Sequence, residues 1–352
     1  MRILHISDRL SGRGGADWHL LGVIHHQLSR HEVGLAVGRR DGTVTDPCPV
    51  LEIADLDARD GRPVDMAAAE AWRPDIVHLH NVVNPEVLRW AAHRPALATV
   101  QDHRAFCPGS GKLTARGDVC REAMHQEICG PCLKDRDYFR RMFALTRVRL
   151  EALARLPVTV LSHYMKRELQ AVGLSEDRVH VIPPFVFELD RQAEADGPPC
   201  VLFAGRLVAA KGIFDAVEIW RASGVALPLV MAGTGSGRHE LELRGVQVTG
   251  WLNRQQLART YRRARAVLFP PRWQEPFGIV GLEALSLGIP VVAWQSGGVA
   301  EWHPHPDLPE WGDVGAMAAR LRRAVEETIE PARGFEADPL MERLESLYRG
   351  IS

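Results

Sequence analysis

Glu275 and Glu283 are the only charged side chains between Gln274 and Ala300. A carboxylate in so apolar a run is costly to bury unless something polar meets it. Read with helical periodicity, residues 278–287 form a short helix stopped by Gly288, and Glu283 falls on its apolar arc between Ile279 and Leu287. Its partner must be a protein donor or the hydroxyls of a bound ligand. Glu275 precedes that helix, and the first-turn N–H groups of Phe277, Gly278, Ile279 and Val280 make a ready anion site. A carboxylate, an anion-binding helix start and an inward carboxylate suit a ligand with a sugar, a phosphate and a second polyol.

Upstream, an apolar strand at 200–204 delivers Gly205-Arg206-Leu207, and Lys211-Gly212 opens the next helix. Two cations beside one loop are placed as a diphosphate requires. Gly233 and Gly235, after a strand at 227–231, permit close backbone approach, as do Gly14 and Gly15 after the first strand. A tight turn is the competing account of the latter pair. A strand at 97–100 ends in Gln101-Asp102-His103-Arg104, and His78 and His80 share one face of another. A structural or acceptor-contact role is preferred there to a metal.

Four of the six cysteines, Cys107, Cys120, Cys129 and Cys132, crowd into 26 residues. Cys129-Gly-Pro-Cys132 is a turn that presents two thiolates to one ion, and the upstream pair can close a tetrahedral structural zinc site. An iron–sulfur cluster, a labile disulfide and free thiols are the alternatives.

Glu275-Pro-Phe-Gly, Glu283 and the following Gly288-Ile-Pro-Val-Val resemble the E-x7-E signature of the retaining glycosyltransferases of family 4. Gly205-Arg206-Leu207 with Lys211-Gly212 resembles that family's pyrophosphate element, and 246–251, ending at Trp251, its strand beside the base. The resemblance implies the α/β GT-B fold: two doubly wound Rossmann-like domains whose parallel sheets face a central cleft. It implies a UDP- or GDP-linked sugar donor, a sugar, lipid-linked or small-molecule acceptor, and a role in polysaccharide, glycolipid or natural-product glycoside synthesis. Arg206 and Lys211 would stabilise the leaving diphosphate, Glu275 would hold the donor sugar, and Glu283 the ribose. Gly14, Gly15, Gly205, Gly233, Gly235, Trp251 and the 277–280 turn would line the donor, with no catalytic metal. Relatives often carry His where Gln101 stands. An amide cannot carry a proton at neutral pH, which turns attention to Asp102 and His103. A nucleotide-sugar-binding protein without transfer, or a GT-B epimerase, is the alternative.

These residues need strands and helices that alternate, and the chain supplies them in both halves, as parallel sheets with crossovers demand. At 352 residues, 46% apolar, it can fill two cores. The expected division is an acceptor-side domain at 1–187 carrying the cysteine insert 107–132, and a polar linker at 188–199. A donor domain at 200–334 follows, with a last helix in 335–352 crossing back to the first domain. A net charge of −1 gives no electrostatic case for nucleic acid. No window reaches the length of a membrane span and the apolar start is too short for a signal peptide. The expectation is therefore a cytoplasmic protein, with peripheral contact at the inner membrane face left open.

Overall fold

The computed structural model describes residues 1–109, 111–132, 135–187 and 189–351. The expected start of a basic helix at Lys134, the linker's first residue Glu188 and the terminal Ser352 lie outside them. The chain divides into two units, Met1–Phe185 with Glu336–Ser352, and Val186–Phe335.

The first unit runs β1 (Arg2–Ser7), α1 (Gly15–Gln27), β2 (Glu32–Val37), β3 (Val50–Glu52), α2 (Ala67–Ala71), β4 (Ile76–His80), α3 (Pro85–Ala91) and β5 (Ala96–Val100). It continues with α4 (Gln126–Cys129), α5 (Arg136–Leu153), β6 (Val158–Val160), α6 (His163–Ala171) and β7 (Val179–Val181). Its seven strands are parallel, in the order β3-β2-β1-β4-β5-β6-β7. Most are continuous apolar runs because both faces are covered. β3 sits within the weakly patterned stretch 38–73, which reads from sequence as loop: two half-buried residues and an exposed one, paired to β2, are too short to show a period.

The second unit runs β8 (Cys200–Ala204), α7 (Ile213–Ser223), β9 (Leu229–Ala232), α8 (Arg238–Leu243), β10 (Gln247–Gly250), α9 (Arg254–Arg263), β11 (Ala264–Phe269), α10 (Ile279–Ser286), β12 (Val291–Ala293) and α11 (Val314–Ala324). Its five strands are parallel, ordered β10-β9-β8-β11-β12. The order reverses between β8 and β11, so the loops leaving those neighbours open a crevice at their carboxyl ends, where open α/β sheets bind ligands.

The last helix, α12 (Ala337–Ile351), belongs to the first unit and packs on α1 and β5. A buried polar chain ties it to the sheet. Gln27 Oε1 lies 2.8 Å from His5 Nε2, so that nitrogen carries a proton; His5 Nδ1 then accepts from His80 Nε2 at 2.9 Å. The Gln27 amide donates to Tyr348 Oη at 3.2 Å, Tyr348 meets His78 Nδ1 at 2.6 Å, and His78 Nε2 meets Thr99 Oγ1 at 2.6 Å. Among the described residues, His5, His78 and His80 bring one ligand atom each within 4.8 Å of one another. All but one of their ring nitrogens already have partners; only His80 Nδ1 has none. Burial lowers the His5 pKa to about 4 and holds His78 and His80 well below the usual histidine range. With these pKa values the rings form a neutral hydrogen-bond chain. No described helix is long and apolar enough to cross a membrane.

Candidate active site

In the second unit three loops are laced together at the carboxyl ends of β8, β9 and β11. Leu207 N donates to Thr234 O at 2.8 Å and Gly205 N to Ala232 O at 2.9 Å. A Cβ on Gly233 would lie 1.9 Å from Gly205 O, and one on Gly235 2.3 Å from Leu207 O. Those glycines therefore serve loop-on-loop packing, whatever a ligand adds. Arg272 N donates to Ala210 O at 3.0 Å, and Gly212, at φ +72°, leaves room for Pro270 O, which a Cβ there would meet at 1.6 Å. The close approach sets Lys211 against the loop after β11.

Lys211 Nζ lies 2.8 Å from Glu275 Oε2, and Trp273 Nε1 donates to the same oxygen at 2.5 Å. The Trp273 ring carries both cations: Lys211 Nζ is 4.2 Å from its centroid and Arg206 Cζ 5.6 Å. Glu275 is buried, and its backbone is held by Ser296 Oγ, which accepts from Glu275 N at 3.1 Å, and by Gly298 N, which donates to Glu275 O at 2.8 Å. The Lys211 and Trp273 contacts both fall on Oε2, and among the described residues no donor is seen at Oε1. Gly278, at φ +102°, caps α10, and the N–H groups of Phe277, Gly278, Ile279 and Val280 have no acceptor among the described residues. Carboxylate, cations and helix start are thus brought together as their spacing suggests. Trp251, 41% exposed, follows β10 at the sheet's edge.

Glu283 has its partners within the protein. Arg254 Nη1 lies 2.5 Å from Oε1, and Tyr261 Oη donates to Oε2 at 3.0 Å. Arg254 also holds Phe187 O, and Tyr261 is buried, its hydroxyl pushed well above the usual phenol range by burial and then by the Glu283 charge. The ribose contact expected of Glu283 would use the remaining lone pair on each oxygen. Arg254 and Tyr261 were missed, although Asn253-Arg254 opening a helix that runs directly into a buried strand was a usable signal.

In the first unit, Gln101 Nε2 lies 2.7 Å from His19 Nδ1, a buried ring whose pKa burial lowers to about 4. Asp102 Oδ2 accepts from Asn81 Nδ2 at 2.8 Å and Arg104 Nε at 2.7 Å, while Oδ1 caps the next turn through Arg104 N at 2.9 Å. Burial would raise the Asp102 pKa, yet Arg104, Asn81 and that backbone bond outweigh it and lower it. His103 is buried, its Nε2 3.2 Å from Tyr164 Oη and its ring edge-on to Phe106. Gly14 is the extended N-cap of α1 and Gly15 its first residue. Sequence reasoning overlooked Asp8, just past β1: burial, opposed by Arg104 and the Val83 N–H, raises its pKa to about 6.

None of the four clustered cysteines is in a disulfide, and all four are partly exposed. Burial, with the neighbouring thiols acting in the same direction, raises the pKa of Cys129 and of Cys132.

Residues 187–333 match the family described as Glycosyl transferases group 1. Over the whole chain, the crystal structure of Anabaena HepE in complex with UDP and glucose superposes with a TM-score of 0.73 at 16% identity, covering 99% of this chain and 100% of that one. The lipopolysaccharide-biosynthesis glycosyltransferase WaaG superposes at 0.64 and 16% identity, covering 99% and 94%. The fold is GT-B. Among curated sequences, the glycogen synthase of Mycobacterium tuberculosis is 27% identical over 246 residues, 66% of this chain and 54% of the relative. A D-inositol 3-phosphate glycosyltransferase of Segniliparus rotundus is 27% identical over 319 residues, 80% of this chain and 67% of that protein. The chain spans about half the length of the glycogen synthases it matches. The second unit's residues described above, from Gly205 to Glu283, fall inside the family-matched segment.

Proposed function

We propose that this chain is a retaining glycosyltransferase of the family 4 type, moving a sugar from a nucleoside-diphosphate donor, UDP- or GDP-linked, to an acceptor. The observation that carries the reading is the pairing of Lys211 with Glu275 at 2.8 Å beside the open start of α10, with Arg206 against the same Trp273 ring. Cleavage of the bond between sugar and diphosphate leaves an oxocarbenium-like sugar and moves negative charge onto the leaving phosphate. Arg206, Lys211 and the 277–280 N–H groups stabilise that charge more in the transition state than before it. Lys211 has donors to spare, so it can keep Glu275 in place while meeting a phosphate oxygen. Glu275 Oε1 then takes hydroxyls of the sugar and the Glu283 clamp takes the ribose.

These cations do the work that a divalent metal would otherwise do for the diphosphate, so transfer proceeds without added metal. Glu275 is already paired with Lys211, and the proposed retention of configuration runs by same-face attack assisted by the leaving phosphate. Solved complexes of HepE with UDP and with UDP-glucose make those two ligands the first to try.

The test is a panel of nucleotide sugars scored by nucleoside diphosphate release with acceptors present, and by the anomeric configuration of the product. Release with retained configuration supports the proposal. Donor binding without release across a broad acceptor panel would favour a nucleotide-sugar-binding protein, the reading that Gln101 in place of His invites.

A further inference from the structure

The cysteine insert is built from two short arms and almost no core. In the first, Leu113 and Val119 form an antiparallel bridge, and Cys120 N donates to Lys112 O and Thr114 N to Asp118 O, both at 2.8 Å. In the second, α4 ends at Cys129 and a single tight turn, Gly130–Cys132, follows. Among the described residues of 107–132 only Gly111 and Lys112 are buried, and Ile128 is 43% exposed. One ion pair anchors the root: Lys112 Nζ to Glu168 Oε2 on α6 at 2.9 Å. A segment of this length with no apolar core needs a covalent or metal staple to hold its shape.

The arms bring their four cysteines into one neighbourhood. Cys107 and Cys132 flank Gly109: a Cβ there would lie 3.8 Å from Cys107 Sγ and 3.7 Å from Cys132 Cβ. Cys129 and Cys132 lie within electrostatic reach of Cys107 and Cys120. We propose that Cys107, Cys120, Cys129 and Cys132 bind one zinc ion that fastens the hairpin arm to the Cys-x2-Cys turn. The sulfurs do not yet converge, because the cluster with ligand atoms mutually within 4.8 Å among the described residues is the histidine one, not this. Zinc draws them together: four thiols lose four protons, four Zn–S bonds form, and nothing is oxidised or reduced. With all four positions taken by sulfur the ion is structural. The proposal does not rest on the glycosyltransferase reading.

The full chain, purified without added metal and then offered one equivalent of zinc chloride, gives the test. The expected result is about one zinc per chain by elemental analysis, with the four thiols protected from a thiol reagent until a chelator is added. Cobalt in place of zinc should show thiolate-to-metal charge-transfer absorption. Cys132→Ser should lose the metal while Cys48→Ser keeps it. Amide exchange in 107–132 should rise on chelation while exchange in α10 stays unchanged, which separates loss of the site from loss of the fold. Four reactive thiols in the presence of zinc, or a disulfide among them by mass, would overturn the proposal.

Discussion

Arg254 and Glu283 meet at 2.5 Å in the second unit, both side chains about nine-tenths buried, and Tyr261 takes the other carboxylate oxygen. Each partner compensates for water the Glu283 charge has lost. Removing the cation strands a buried carboxylate, which costs about 3–5 kcal/mol. Arg254→Ala should therefore lower the denaturation midpoint, and pairing it with Glu283→Gln should recover much of the loss. Tyr261→Phe removes one hydrogen bond to a charged group, worth about 1.5–3 kcal/mol. Under the proposed function its mark is a raised KM for the donor with kcat little changed.

The phosphate-facing cations make a sharper demand. Lys211→Ala and Arg206→Ala should each lower kcat by on the order of a hundredfold or more with the circular dichroism spectrum close to wild type. Tm should hold for Arg206→Ala and fall for Lys211→Ala, which leaves the buried Glu275 carboxylate without its cation. Trp273→Phe keeps the ring beneath both cations but removes the Nε1–H that Glu275 accepts. A loss smaller than for Lys211→Ala is expected, and equal losses would assign the ring itself no separate role.

The strands were legible because parallel sheets bury both faces, so apolar runs such as Cys200–Ala204 and residues 266–269 stand out. The cations and carboxylates were legible for a different reason: Arg206, Lys211 and Glu275 sit in loops between a strand and the next helix, and Glu283 is a charge on the apolar face of a short helix. What escaped depends on contacts distant in sequence. Arg254 is 29 residues from Glu283 and Tyr261 is 22. Tyr261 stands beside the basic run at Arg259, Arg262, Arg263 and Arg265, which read as a solvated face. That reading holds for three of the four, whereas Arg263 is tucked against Asp196 at 3.3 Å. Asp8 was invisible because nothing local marks burial of a carboxylate just beyond a strand.

Asp8 gives a pH prediction for activity. Its carboxyl, raised to about 6, lies 3.7 Å from Arg104 Nη1 and accepts from Val83 N at 3.2 Å, so protonation weakens both contacts near Asp102. With the proposed transfer as readout, kcat/KM should fall below about pH 6, and Asp8→Asn should flatten that limb. An unchanged limb would pass it to another group.

The histidines set the acid stability. A neutral buried histidine with a depressed pKa takes up its proton only on unfolding, so the unfolded chain binds more protons below pH 6.5. For His5 and His19, with folded pKa values of about 4, the stabilisation is present above about pH 6.5 and lost as pH falls toward 4. His78 and His80, lower still, extend the loss further. Each contributes a slope of about 1.4 kcal/mol per pH unit inside its window. Asp8 works in the opposite sense, since its raised folded pKa binds a proton before the unfolded carboxylate does, and it offsets about one histidine between its two pKa values. The net expectation is a urea midpoint that drops steeply from pH 6.5 to 5. Tyr348→Phe cuts the link to His78 at 2.6 Å and should lower stability at neutral pH by about 1–3 kcal/mol while leaving the slope in place. A midpoint independent of pH over that range would mean that the histidines exchange protons with solvent in the folded chain, and the neutral chain joining α12 to the sheet would have to be abandoned.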